Sequence, residues 1–313
     1  MFHYRTADHH KPMKTLPNPV PSRSIEEVIP LLVQVQRDLD EDLNLDTLAR
    51  RFGYSPFHFH RRFKEVVGET PRQYVQRLRL EKAAYKLQIT NASILDISLA
   101  VGFQNHETFT RAFRQHFGCA PSRYREEGRM AQAERLGRKR SFRGDECVVS
   151  EVRFEIFRPM HFLAIRNVGD YYDIADAFSE EDRLWNDLVA WARANNVRHA
   201  SLALGLFHDD PTVTPRDAQR CDACIPIHDP VEGTPRIRRI EFAGGPHGVV
   251  EHTGPDSTLL EGFQRLADDI RRSTEYEFRD ASALEIYRNL PLGAGTVLDQ
   301  TDLCFPVRKK AKS

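Results

Sequence analysis

Leu45-Asp46-Thr47-Leu48-Ala49-Arg50-Arg51-Phe52-Gly53-Tyr54-Ser55-Pro56-Phe57-His58-Phe59-His60-Arg61-Arg62-Phe63-Lys64 has a second version farther along the chain, Ile94-Leu95-Asp96-Ile97-Ser98-Leu99-Ala100-Val101-Gly102-Phe103-Gln104-Asn105-His106-Glu107-Thr108-Phe109-Thr110-Arg111-Ala112-Phe113-Arg114. Each copy reads as a short apolar-faced helix, a glycine with an aromatic neighbour, a polar cap and a second helix. Gly53 and Gly102 stand where a tight interhelical turn needs positive φ. Ser55 and Asn105 are good N-caps, and Pro56 suits a first helical position. Phe59 and Phe63, like Phe109 and Phe113, recur at i, i+4, which predicts one buried face on each second helix. The other face carries His60, Arg61 and Lys64 in one copy and His106, Thr110, Arg111 and Arg114 in the other.

This is the pattern of a helix-turn-helix used twice, in which the second helix of each copy enters a DNA major groove. The double motif, with Gly-Phe-Gln-Asn, Phe-Thr-Arg-Ala-Phe and the later Gly118-Cys119-Ala120-Pro121-Ser122-Arg123-Tyr124-Arg125, resembles the AraC/XylS family of transcription regulators over roughly residues 25–127. By position, the resemblance implies base contacts from Phe57, His60 and Arg61 in the first recognition helix and from His106, Glu107, Thr110 and Arg111 in the second. Arginine is the commonest partner of guanine, and an apolar ring can touch a thymine methyl. Arg62, Lys64, Arg114, Arg123 and Arg125 are expected on phosphates or on nothing. Phe52, Phe59, Phe63, Phe103, Phe109, Phe113 and Phe117 are expected in the core.

Charge divides the chain. The whole has 45 Lys+Arg against 45 Asp+Glu. Residues 1–143 carry 25 against 16, a net of +9, and residues 144–313 carry 20 against 29, a net of −9. A basic half joined to an acidic half implies that only the first meets phosphates. Five cysteines in 313 residues, without a signal peptide, do not read as a disulfide framework. No apolar run approaches the roughly 20 residues that cross a bilayer, so a cytoplasmic location is expected.

In chain order, residues 1–23, with Pro12, Pro17, Pro19 and Pro21, read as a disordered arm. Its histidines (His3, His9, His10) read as a solvated tail rather than a metal site. Residues 24–127 form the DNA-binding domain, its first helix starting at a capping box at Ser24 or later, near Pro30. Thr70-Pro71 opens a long helix with Tyr74, Leu78, Ala84, Tyr85 and Leu87 as apolar stripe and Arg72, Arg77, Arg79, Lys82 and Lys86 as its wet side. Such a helix, about 27 Å long, could hold two recognition helices over major-groove segments about 34 Å apart. Residues 128–147 read as a linker. Val152, Phe154 and Ile156 then alternate with charged residues, as in a strand.

The second half is itself duplicated. Leu204-Gly205-Leu206-Phe207 matches Leu284-Glu285-Ile286-Tyr287 at an offset of 80, as Cys221-Asp222-Ala223-Cys224 matches Thr301-Asp302-Leu303-Cys304. Ile165 to Asp170 parallels Val250 to Pro255, and each repeat holds one helix. Two strand-helix-strand-strand units predict one curved antiparallel sheet with helices on one side. The fold expected is therefore two domains, an all-α double helix-turn-helix and an α+β duplicated domain over 148–309. That layout, with Phe242-Ala243-Gly244-Gly245, His252-Thr253-Gly254-Pro255 and Glu285 to Pro291, resembles the GyrI-like (BmrR-type) effector-binding domain over roughly residues 150–309.

Glu285 stands where its repeat partner is Gly205, in an apolar strand where a charge is costly unless paired. The resemblance implies that this glutamate lies at the base of an effector pocket near aromatic rings. Tyr287, on the same strand face, and Tyr171, Trp185, Phe207 and Phe305 are candidate walls. An internal ion pair with an arginine is the alternative. Cys221-x-x-Cys224 is not duplicated as a pair, which favours small buried hydrophobes over a metal site. Asp222 and Asp302 recur and are as well explained by a structural hydrogen bond at a strand entry as by a ligand.

The reading is a regulator that binds double-stranded DNA and a small organic effector, with RNA polymerase as a further partner, no cofactor and no catalysis. Two alternatives stay open. One is a hydrolase of strained small molecules using Glu285 and Tyr287, implied by the same resemblance. The other is a DNA-binding protein whose acidic domain contacts another protein.

Overall fold

The computed structural model describes residues 28–137, 147–171, 184–288 and 300–310. The proline-rich arm, the capping box at Ser24 and residues 138–146 of the expected linker lie outside them, while residues 128–137 of that linker continue a helix. The described residues form two compact units that divide between Gln76 and Arg77.

In the first unit, α1 is Ile29–Arg37, with Pro30 in its first turn. Helices α2 (Leu45–Arg51) and α3 (Pro56–Val67) form the first helix-turn-helix. Asn44 caps α2 by accepting from the Thr47 N–H, and Ser55 caps α3 by accepting from that of His58. Gly53 takes φ +68°, as the turn required. Phe59 and Phe63 are buried and stack along the helix with ring centroids 5.7 Å apart.

Helix α4 (Pro71–Ile89) leads into the second unit. There α5 (Ile94–Ala100) and α6 (His106–Phe117) repeat the motif, capped by Ser93 and Asn105, with Gly102 at φ +88°. Phe109 and Phe113 are fully buried against Leu80, Ala83, Ala84 and Leu87 of α4. Helix α7 (Pro121–Gly137) follows.

Among the described residues, ten strands then make one sheet in which every paired strand is antiparallel: β1 (Val148–Val149), β2 (Arg153–Phe157), β3 (Met160–Val168), β4 (Ala203–Phe207), β5 (Arg220–Ile227), β6 (Ile237–Phe242), β7 (Gly245–Thr253), β8 (Tyr276–Phe278), β9 (Ala283–Tyr287) and β10 (Gln300–Lys309). Along the sheet the order is β1-β7-β10-β9-β4-β5-β3-β6, with β2 also on β7 and β8 on β10. The central pair is β4 and β9, the equivalent strands of the two repeats, with Gly205 directly opposite Glu285.

Register shows why both helices share a side. Ala223, Gly205, Glu285, Leu303 and Val250 are successive cross-strand partners, and direct partners point to one face. Helix α8 (Leu184–Ala194) covers the β3–β5 end of that face through Trp185, Leu188, Val189 and Ala192. Helix α9 (Leu259–Arg272) covers the β7–β10 end through Leu266, Ala267 and Ile270. The opposite face buries Phe162, Leu204, Cys224, Leu284 and Cys304. The sheet curls over it. Phe157 at the end of β2 and Phe242 at the end of β6 both reach His247, at ring distances of 4.7 and 5.7 Å.

Candidate DNA interface and effector site

Both recognition helices bury their phenylalanines and leave the other face bare. On α3, Phe57 is 79% exposed and Arg61 and Lys64 are exposed, with His60 half-buried. A large ring in water on an otherwise polar face is unexplained by packing. Arg61 faces Glu65 at 3.6 Å, a solvated pair of small worth that leaves the guanidinium available. On α6, His106, Glu107 and Arg111 are exposed, and Thr110 Oγ1 lies 3.4 Å from His106 Nε2. The seven residues expected at bases therefore lie on the bare faces of their own helices.

Arg125 has a partner within the chain. Its Nη2 donates to the Ala92 carbonyl at 2.7 Å, bracing the turn between α4 and α5. Arg123 instead reaches Glu127 on its own helix at 2.7 Å.

In the second domain, Glu285 is only 5% exposed and accepts one hydrogen bond, from the Tyr287 hydroxyl at 2.7 Å. Among the described residues no arginine or lysine forms an ion pair with it, so the internal-pair alternative finds no partner there. Burial pushes its carboxyl up to about 8; the Tyr287 hydroxyl partly opposes this and the Asp256 charge adds to it. The fold at the middle of the sheet therefore accommodates the neutral form of this carboxyl.

Gly205 makes the arrangement possible. A Cβ there would stand 2.6 Å from Phe207 Cε2 and 3.0 Å from the Tyr287 hydroxyl. The missing side chain lets both rings close over the central strands beside Glu285. Trp185 meets Tyr287 edge-on at 5.6 Å, and Tyr171 meets Phe207 edge-on at 4.9 Å. The structure thus gathers Glu285, Tyr287, Trp185, Phe207 and Tyr171 around one apolar cluster. Phe305 is not among them. It packs under α9 with Phe263 at 5.1 Å and Phe278 at 5.6 Å.

Cys221 and Cys224 side chains join the clusters on opposite faces of the sheet, because three residues along a strand reverse direction. They cannot grip one ion together. Asp222 and Asp302 are hubs of ion pairs rather than strand-entry hydrogen bonds. Asp222 is held by Arg166 at 2.7 Å, Arg238 at 2.6 Å and His208 at 2.8 Å. Asp302 is held by Arg288 at 2.6 Å and Arg153 at 3.1 Å. Sequence reading did not reach these arginines, because they lie on other segments of the sheet with no fixed spacing to their aspartates.

Comparison with known proteins follows this division. Residues 48–127 match the helix-turn-helix domain family, and residues 150–308, just over half of the chain, match the GyrI-like small molecule binding domain family. The probable transcription factor PqrA of Proteus vulgaris is 45% identical over 100 residues, 32% of this chain and 80% of that protein. The transcriptional regulator Rob of Salmonella typhimurium is 38% identical over 135 residues, 43% of this chain and 46% of that protein. The right origin-binding protein of Escherichia coli is 42% identical over 95 residues, 30% of this chain and 33% of that protein. The aligned stretch therefore spans less than half of these last two. All three carry names of DNA-directed factors, none that of an enzyme.

Proposed function

From the premise that this chain belongs to the AraC-type helix-turn-helix transcription regulators that carry a GyrI-like small-molecule binding domain, we propose that it is a cytoplasmic, sequence-specific regulator whose effector is an organic cation with an apolar body. The observation that carries the effector class is Glu285, a buried carboxyl bonded to a tyrosine, with no cationic partner among the described residues and with aromatic side chains around it. A ligand cation supplies the missing charge, and aromatic faces add cation–π attraction. A neutral ligand of the same shape gains only the apolar contact.

A matched pair of dyes, one cationic and one its neutral analogue, tests this. In the Glu285→Gln protein the cationic dye should bind roughly tenfold to a hundredfold more weakly, the worth of a charged hydrogen bond (about 1.5–3 kcal/mol). The neutral dye should change little. Equal loss for both would make Glu285 structural, and no loss for either would put the pocket elsewhere.

For DNA, the reading assigns base contacts to Phe57, His60, Arg61, His106, Glu107, Thr110 and Arg111, and gives the regulator RNA polymerase as its downstream partner. Arg61→Ala and Arg111→Ala should each weaken specific binding by about 1–3 kcal/mol and relax the base preference at one position. Selection from a random duplex pool checks it. An unchanged consensus for Arg61→Ala would remove that residue from the assignment.

A further inference from the structure

The two strands that hold the candidate effector site also hold a DNA-binding helix. Strand β4 carries Gly205 and Phe207 and runs on into His208, Asp209 and Asp210; strand β9 carries Glu285 and is entered through Asp280 and Ser282. Both extensions lie at the same end of the central pair, where His208 Nδ1 and Ser282 Oγ are 2.8 Å apart.

That end grips the second half of α4. Lys86 Nζ donates to Asp280 Oδ2 at 2.7 Å, and Lys82 Nζ lies 3.6 Å from the same oxygen. Burial raises the Asp280 carboxyl, but the two ammonium groups more than offset it and hold it below its ordinary range. Val213, beyond β4, packs against the apolar core of the second helix-turn-helix, and Ile89 of α4 packs against the core under α9. Two of the lysines expected on the wet side of α4 are therefore turned onto the acidic domain.

A short path joins this grip to the pocket wall. The Tyr171 hydroxyl accepts from the Asp209 N–H at 2.9 Å and reaches the carbonyls of Asp209 and Arg220 at 3.1 and 3.0 Å. The Asp209 carboxylate pairs with the Arg220 guanidinium. Buried Glu81 of α4 is held by Arg77 at 3.2 Å. Its carboxyl is pushed up to about 6 by burial, against Arg77, with the Asp209 and Arg220 charges also acting on it. Tyr171 packs edge-on against Phe207 beside the Glu285 strand, and it cannot move without disturbing Asp209.

We propose that the end of the β4–β9 pair is a latch, Asp280 on Lys82 and Lys86 together with the Asp209–Arg220 loop, through which the Glu285 site and the second helix-turn-helix bias one another. The latch rests on the effector reading above for its ligand, but its operation can be read without one. Coupling is reciprocal, so DNA seated on α6 must change the ligand affinity of the aromatic site by the same factor as a ligand there changes DNA affinity, and the latch carries that change to the indole and tyrosine of the site. The chain has two tryptophans, Trp185 and Trp191, both on α8. In a Trp191→Phe background the remaining indole, donating to the Leu204 carbonyl at 3.2 Å and edge-on to Tyr287, reports on the site.

The full chain in that background is titrated with a duplex selected for tight binding, following Trp185 emission and DNA occupancy together. DNA should shift the emission. In Asp280→Asn the shift per bound duplex should fall about fivefold or more, the low end of ordinary coupling, while the duplex still binds; Asp280→Glu should restore it. Asp280 is part-exposed at its side chain, so the exchange leaves the fold intact, which far-ultraviolet dichroism verifies. An undiminished shift in Asp280→Asn, or no shift with DNA bound when Asp280 is present, would overturn the latch. The dye titration fails or succeeds separately and judges the effector reading alone.

Discussion

Replacing Glu285 by glutamine should stabilise the folded protein by about 4 kcal/mol near pH 8 and by nothing measurable near pH 4, which inverts the usual cost of changing a buried residue. The cause is the carboxyl held at about 8 in the folded chain against 4.5 when exposed, at about 1.4 kcal/mol per pH unit. The sign follows from the direction of the shift. A raised folded value means that the neutral form is the one the fold accommodates. Its contribution is complete below about pH 4.5 and is lost as the pH climbs to about 8, because the unfolded chain ionises first. Glutamine keeps the size, accepts the same hydrogen bond from Tyr287 and never ionises, so its stability lacks that slope. Urea unfolding of both proteins at several pH values between 5 and 8 gives the difference directly. A difference that does not grow with pH would mean that Glu285 is ionised and paired in the fold, and would remove the observation on which the effector class rests. In the natural protein a bound cation would recover the same energy, so unfolding should become less pH-dependent when the cationic dye is present.

Most of the fold was legible because it is written in periods and repeats. The turn glycines Gly53 and Gly102, the caps Ser55 and Asn105 and the i, i+4 phenylalanines are local signals, and the structure realises each in place. The antiparallel duplicated sheet followed from the offset of 80, since repeated strands that pair about a local two-fold put Gly205 opposite Glu285. Glu285 itself stood out only because the repeat broke there. What escaped was non-local. Phe305 has the alternation of a pocket residue, but nothing in its neighbourhood says that α9 and β8 cover it instead. The carbonyl partner of Arg125 lies 33 residues away, where no local pattern announces it. The lysines of α4 read as solvated because a helical period separates apolar from polar faces but cannot tell water from an acidic loop 194 residues farther on.

An effect at least as large, and of opposite sign, belongs to Phe113, and it follows from the i, i+4 phenylalanines of the second recognition helix. The ring is fully buried between Phe109 at 5.5 Å, Phe117 at 4.5 Å and Tyr124 at 5.4 Å, so it ties α6 both along its own length and to α7. Truncating a fully buried phenylalanine to alanine costs about 3–5 kcal/mol, the transfer term plus the cavity left behind. Collapse is resisted here because the surrounding groups are rigid rings on separate helices, which puts Phe113→Ala toward the upper end of that range. Phe113→Leu, which refills most of the volume, should recover more than half. Function should fail before the fold does: the exposed face of α6 keeps His106 and Arg111 in register only while the buried face is anchored. Near-native secondary structure at moderate temperature, with DNA selectivity lost at the positions read by α6 and kept at those read by α3, is the expected signature. Denaturant unfolding of the three proteins supplies the energies, and the selected duplex pool supplies the base preferences. A loss below about 1 kcal/mol, typical of a surface substitution, would show that α6 is held by something other than its phenylalanines, and that its bare face is not a rigid reading surface.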